Sequence, residues 1–125
     1  MTSLKKENLP DTQRIYIYLK LAGNYIHTNL DSNLNYSQRA LNMIDTAKKD
    51  KYYASANMSV SKSFFLRADY VKSVEYLQKA LKVWVDKKFP DMEAEARLNW
   101  ANNLTMLGDF TGAIDQGLKA MKYFF

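Results

Sequence analysis

The chain has 125 residues, 47% of them hydrophobic, with two prolines, four glycines and no cysteine. This composition fits one domain with a buried core, and it excludes a disordered chain, a disulfide-stapled fold and any thiolate nucleophile or thiolate metal site. There is no run of about 18 apolar residues, as a membrane span would need, and the first residues of the chain lack the apolar core of a signal peptide.

The net charge of +5 is distributed unevenly. Residues 1–47 carry five basic and four acidic groups, residues 48–88 carry ten and four, and residues 89–125 carry three and five. The basic middle could attract an acidic partner or a nucleic acid. Because the lysines are spread along two predicted helices rather than clustered, we interpret the middle as a solvated helical face with surplus lysine.

Apolar residues at helical spacing predict two helices in the first fifty residues. The first follows Asp11 and Thr12, either of which can cap it, and ends near residues 28–29. The second follows a polar turn, is capped by Asp31 or Ser32, and fades in the lysines of residues 48–51.

Four further helices are predicted in the rest of the chain. The third runs roughly from Lys51 to Arg67, and a short turn leads into the fourth. Pro90 ends that region, and Asp91 can cap a fifth helix over residues 92–107. The sixth begins near Phe110 and runs to the end of the chain. No stretch alternates at period two, so the predicted fold class is all-α.

A repeat of forty residues runs through these helices. Three sets of similar residues share that spacing: Ala40, Ala80 and Ala120; Leu34, Val74 and Ile114; Leu30, Tyr70 and Phe110. Periods of about 20–50 residues are typical of solenoids and propellers.

The segment 98–114 resembles the tetratricopeptide repeat (TPR). The positions that match are Trp100, Ala101 and Leu104 on the first helix, the turn Gly108-Asp109-Phe110, and Ala113 and Ala120 on the second helix. The middle repeat matches through Val60, Ser61, Phe64, the turn Ala68-Asp69-Tyr70, Ser73 and Ala80. The first repeat matches through Leu21, Ala22 and Tyr25, with one residue fewer before Ala40.

This resemblance implies a right-handed α–α superhelix of three TPR-like hairpins, in repeats of about 12–50, 51–90 and 91–125. We expect residues 1–125 to be a single domain and a fragment of a longer protein. The standard repeat has about 34 residues, and the longer form here resembles the repeat arms of bacterial two-component sensors and regulators, most directly over residues 11–41. That resemblance implies a periplasmic location for a sensor-kinase arm, and otherwise a cytoplasmic one.

The resemblance also implies a protein–protein or peptide interaction module that binds a partner segment on the concave face of the first helices. The candidate partner-binding residues are Ser55, Met58, Lys62, Phe65, Leu66, Leu98, Asn102, Thr105 and Met106. The same register adds Glu95, and Leu19, Gly23 and Ile26 from the first repeat. Met58 and Leu98 stand where a basic carboxylate clamp would be expected, so we predict that the occupant is an apolar or helical segment.

No group of residues indicates catalysis. His27 is the sole histidine and has no neighbouring metal ligands. Asp91, Glu93 and Glu95 complement the dipole at the start of a helix. No glycine-rich phosphate loop is present. We therefore predict no enzyme, no cofactor, no metal and no small-molecule substrate.

The last helix ends in a strongly apolar stretch, Met121, Tyr123, Phe124 and Phe125. Solenoid ends normally carry a polar cap, so we expect either further repeats or self-association through this end. The alternative function is an RNA-binding helical repeat that uses the basic middle. We consider nucleic-acid binding the weaker hypothesis because the lysines show no clustered pattern.

Overall fold

A computed structural model describes residues 10–44 and 48–124, and the described part contains six α-helices and no strand. The helices are α1 Asp11–Asn24, α2 Leu30–Asn42, α3 Lys51–Leu66, α4 Tyr70–Asp86, α5 Pro90–Met106 and α6 Phe110–Phe124. We call α1, α3 and α5 the A helices, and α2, α4 and α6 the B helices. The predicted contact residue Phe125 lies outside the described residues.

Packing follows the order of the chain. Each A helix packs against the B helix that follows it, which gives three hairpins, and the hairpins stack through α2 with α3 and α4 with α5. α1 also touches α3. Contacts between neighbouring units are the feature that lets repeat proteins build one continuous core from short helices.

The forty-residue period is visible in the N-terminal caps of the B helices. The cap side chains are Asn29, Asp69 and Asp109, and each accepts a hydrogen bond from the backbone N–H three residues on, at 3.0, 3.2 and 2.9 Å. Such a cap satisfies one of the free N–H groups of a first helical turn. The predicted caps of α2, Asp31 and Ser32, instead lie inside its first turn.

Two of the A helices, α1 and α5, begin differently from the prediction. α1 follows Pro10 and has no side-chain cap, and it ends at Asn24 rather than near residue 28. α5 has Pro90 as its first residue and Phe89 as its cap position, so Asp91 is inside the helix and not its cap. The fixed φ of proline suits the first helical position, where its missing N–H would have no partner.

Three helices end in the same left-handed turn. The residues with positive φ are Ala68 at 62°, Lys88 at 62° and Gly108 at 85°. In each case the N–H of the next residue bonds the carbonyl five residues back: Asp69 to Phe64 at 2.9 Å, Phe89 to Trp84 at 2.9 Å and Asp109 to Leu104 at 2.8 Å. This pattern satisfies carbonyls at a helix C-terminus and normally carries glycine at the left-handed residue. Only the last of these three turns has one.

The core lies mainly between α3, α4 and α5. Its buried members include Met58, Leu77, Leu81, Trp84 and Ala96. The alanines of the repeat, Ala40, Ala80 and Ala120, are fully buried. Their small side chains let neighbouring helices approach closely at these positions.

Small residues also stand where the A and B helices of each hairpin approach. In the middle hairpin, Ser61 on α3 and Ser73 on α4 bond reciprocally. The Ser61 hydroxyl donates to the Ser73 carbonyl at 2.7 Å, the Ser73 hydroxyl donates to the Ser61 carbonyl at 2.8 Å, and the hydroxyl oxygens are 3.0 Å apart. Both side chains are buried, so these bonds satisfy groups that water cannot reach.

The first hairpin has an alanine and an asparagine, Ala22 and Asn33, at the matching positions. Asn33 on α2 donates from Nδ2 to the Ala22 carbonyl on α1 at 2.7 Å, and its Oδ1 accepts from the Ser63 hydroxyl on α3. Ser59 and Ser37 form a second contact between α3 and α2, with 2.6 Å between their hydroxyl oxygens. Ser59 and Ser63 of α3 therefore contact α2, whereas Ser61 contacts α4.

We predict that Ala68→Gly stabilises the chain by about 0.5–1 kcal/mol, because glycine adopts positive φ without the steric cost that an L side chain meets there. Thermal unfolding followed by circular dichroism should show a midpoint raised by about 2–5 °C. Gly108→Ala is the matched control, and we expect it to lower the midpoint by a similar amount. A lower midpoint for Ala68→Gly would contradict this account of the turn.

We predict that Ser73→Ala costs about 1–2 kcal/mol of unfolding free energy, because it breaks a buried hydrogen bond to the Ser61 carbonyl. The double variant Ser61→Ala with Ser73→Ala should cost less than the sum of the two single variants, by about 0.5 kcal/mol or more. Urea denaturation of all four proteins measures this coupling. Strictly additive costs would mean that shape, and not the paired hydroxyls, holds these helices together.

Candidate functional site

One depression is lined by residues from all three A helices. It has a volume of about 290 Å³. Leu19, Met58 and Met92 supply apolar surface from α1, α3 and α5, and Lys62 and Glu95 supply opposite charges. Met92 is partly buried, and its flexible side chain suits a surface that must adapt to a partner.

A smaller depression of about 50 Å³ adjoins the first. Six of its seven lining residues have polar side chains, among them Asn99, Asn102 and Asn103 on α5. Lys62 lines both depressions. We therefore treat them as one surface, the A-helix groove, with a larger apolar part and a smaller amide-rich part.

Lys62 and Glu95 join α3 to α5 across the larger part of the groove. The Lys62 Nζ lies 3.4 Å from the Glu95 Oε1, and the two side chains are 45% and 47% exposed. An exposed pair of this kind contributes little to stability because water screens it. Both charges therefore remain available to a partner that brings its own polar groups.

Asn103 gives the smaller part an unused acceptor. Its side chain is 1% exposed, and its Nδ2 donates to the Asn99 carbonyl at 2.9 Å. Its Oδ1 is buried and has no hydrogen-bond partner among residues 10–44 and 48–124. A buried acceptor without a partner carries a desolvation cost, so a donor that reached this oxygen would gain a favourable hydrogen bond.

The structure gathers five of the nine predicted contact residues in the groove. Ser55, Met58 and Lys62 line the larger part, and Lys62, Phe65 and Asn102 line the smaller part. The other four are exposed or partly exposed but line neither part: Leu66, Leu98, Thr105 and Met106. The first-repeat positions Leu19, Gly23 and Ile26 and the added Glu95 also lie in the larger part.

Met58 is mainly a core residue. It is 4% exposed, and the Trp84 Nε1–H donates to its sulfur at 3.0 Å. Most of its surface therefore packs inside the stack, and only a small part lines the groove. The prediction placed Met58 on the surface because the helical register of α3 alone does not show that the Trp84 indole on α4 contacts it.

Seven groove residues were not among the predicted contact residues: Asn33, Ser59, Ser61, Ser73, Met92, Asn99 and Asn103. Asn99 and Asn103 are four residues apart on α5, and Asn102 is three residues from Asn99. Side chains at these spacings share one helix face, so the cluster of asparagines in residues 99–103 was a usable signal.

The described part of the chain holds no group of three or more histidine, cysteine, aspartate or glutamate residues that could bind a metal. Over the same ranges, no helix is both long and apolar enough to cross a membrane. His27 is exposed in the turn between α1 and α2.

No protein-family model matches the sequence, and no curated protein matches it. Among solved structures, the chain is similar to the crystal structure of the TPR domain of Arabidopsis FLU. The two share 18% sequence identity and have a TM-score of 0.81, over 90% of this chain and 96% of that one. At this identity the likeness shows the fold, and it confirms the predicted all-α superhelix of TPR-like hairpins.

Proposed function

We propose that the chain is a protein-interaction module that binds a short segment of a partner protein in the A-helix groove. The observation that carries this proposal is that all three A helices contribute to one groove whose two parts share Lys62. A groove assembled from successive repeats can follow a partner segment along the stack. The similarity to a TPR domain supports the same function in general terms.

The chemistry of the groove favours a mostly apolar occupant with polar backbone contacts. The apolar side chains of the larger part can receive apolar side chains of a partner. The asparagines of the smaller part offer amide donors and acceptors, among them the unsatisfied Asn103 Oδ1, and a peptide backbone presents the complementary groups.

RNA is the alternative occupant, and the groove gives it little support. Lys62 is the one basic residue among the described residues that line the groove, and it is paired with Glu95. A phosphate backbone is held mainly by several basic side chains. We therefore favour a protein segment over RNA at this surface.

A more specific hypothesis makes this module the sensory arm of a bacterial signalling protein, on the resemblance of residues 11–41 to such arms. In that setting the groove would report on a bound peptide or protein. Sequencing the reading frame on either side of this segment tests the hypothesis. A membrane span and a kinase pattern in that frame would support it, and an unrelated frame would contradict it.

We also propose that α6 associates with α6 of a second copy. Six large side chains on this helix are 45–64% exposed: Phe110, Ile114, Leu118, Met121, Tyr123 and Phe124. All of these except Tyr123 share one side of the helix by their spacing, and at about 200 Å² for a fully exposed large side chain those five expose roughly 550–600 Å². That area approaches the roughly 800 Å² that each partner contributes to a standard interface.

The equivalent residues of α4 support this proposal, because they are already covered by a helix. Met121 and Phe124 stand forty residues after Leu81 and Trp84, which are 8% and 2% exposed in the core beside α5. A symmetric contact between two α6 helices would cover both copies with the same surface.

We predict that Lys62→Glu with Asn102→Ala weakens groove binding by about tenfold or more, equivalent to about 1.4 kcal/mol. Peptides selected from a random displayed library on the wild-type chain provide the ligands, and calorimetry measures their affinity. Lys72→Glu with Asn42→Ala is the matched control, because these residues are exposed on B helices. If the groove variant and the control bind these peptides equally well, the binding site does not lie in the groove.

We predict that Ile114→Glu converts a dimer to a monomer, because a charge in the middle of an apolar interface loses its hydration without gaining a partner. Light scattering after size exclusion, over a range of concentrations, measures the mass. Val71→Glu is the control, since Val71 is 59% exposed on α4 and Ile114 is 64% exposed. A wild-type chain that stays monomeric at every concentration would contradict the α6 contact.

A further inference from the structure

A second depression lies away from the A-helix groove and has different chemistry. It has a volume of about 300 Å³ and shares no lining residue with the groove. Among residues 10–44 and 48–124, five lysines and one carboxylate line it: Lys48, Lys49, Lys79, Lys82, Lys87 and Asp86. The structure therefore corrects the prediction that the lysines of the basic middle are merely spread along two helices.

Two features of the fold gather these lysines. On α4 and its end, residues 79, 82, 83, 86 and 87 follow helical spacing, so they share one side of the helix. Just before α3, Lys49 has a φ of 42°, in the left-handed region that non-glycine residues rarely adopt. The chain turns there so that Lys48 and Lys49 lie against the same side of α4.

Among the residues that the structure describes, the charged side chains that line this depression have a surplus of positive charge. Lys82 pairs with Asp86 at 3.4 Å, and both side chains are more than half exposed. Asp50 points elsewhere, because its side chain accepts the N–H groups of Tyr52 and Tyr53 at the start of α3. Like charges held close together repel one another, and an anionic occupant would relieve that repulsion.

The lining also indicates which anion fits. Tyr53 is the aromatic residue of the depression and is 9% exposed, so it offers no platform on which a base could stack. The basic groups are lysines, whose ammonium groups act as flexible point charges. Several lysines around a concave surface can each bond a separate carboxylate.

We propose that this lysine-lined depression is a binding site for an acidic segment of a partner protein, separate from the A-helix groove. The segment would place successive Asp or Glu carboxylates among Lys48, Lys49, Lys79, Lys82 and Lys87. Binding would weaken with added salt, because the charges are exposed and screened by mobile ions. The proposal does not depend on what occupies the groove.

A fluorescein-labelled peptide of consecutive glutamates tests this site, with fluorescence anisotropy at low and high salt as the readout. We expect Lys79→Glu with Lys82→Glu to reduce affinity by about tenfold or more. Lys20→Glu with Lys122→Glu is the matched control, because both lysines are exposed outside the depression and the change in net charge is identical. The control should bind within about twofold of wild type.

Three outcomes would overturn the proposal. One is an equal loss in both double variants, which would mean that the peptide responds only to net charge. Another is the absence of any salt-sensitive binding to the wild-type chain. The third is tighter binding of a labelled oligouridine, with loss in Lys79→Glu/Lys82→Glu, which would assign the depression to RNA. Circular dichroism melts of each variant confirm that a loss of binding is not a loss of fold.

Discussion

The close approach of the A and B helices within each hairpin is the constraint on which the rest of the structure depends. Two helices can meet this closely only where small side chains face each other, and any polar group buried there needs a partner. The middle hairpin meets both conditions with Ser61 and Ser73, whose hydroxyls bond each other's carbonyls. The third hairpin has Ala101 and Ala113 at the same positions, and its helices are linked instead by Arg97, which donates to Gln116 at 2.8 Å. The same geometry therefore accepts either paired hydroxyls or methyl groups.

Periodicity made the helices predictable, whereas their ends depended on local chemistry. The helical stripes predicted the six helices, and the resemblance to the TPR implied the stacked-hairpin fold. The cap of α2 was misassigned because Asn29, Asp31 and Ser32 are all residue types that cap helices well. Only the extended backbone conformation of Asn29 identifies it as the cap. The left-handed turn at Gly108 could be predicted because glycine favours it, but those at Ala68 and Lys88 could not, because neither residue type favours positive φ.

The residues of the candidate site could be predicted where the helical register alone determines whether a side chain is exposed. Lys62 and Asn102 lie in the groove because their positions on the A helices point away from the B helices. Register failed at Met58, where contact with Trp84 determines the burial. It also failed for the lysine-lined depression, because the sequence separates its two halves by thirty residues and the turn at Lys49 brings them together. Spacing along one helix gives no information about contacts between segments that are far apart in the sequence, so a site built from such contacts cannot be predicted from it.

In the third hairpin, a partner that buried the exposed apolar side of α6 would stabilise that helix as well as recognise it. α6 contains Gly112 and Gly117, and glycine inside a helix costs about 0.5–1 kcal/mol relative to alanine. Gly117 stands where α4 has the fully buried Leu77, and a Cβ at that position would meet no atom within 4 Å. The helix thus has weaker intrinsic propensity and less internal packing than α4, while its apolar side chains are exposed. Most helical stability in proteins comes from packing of the apolar face, so whatever covers Phe110, Ile114 and Met121 also stabilises the helix that presents them.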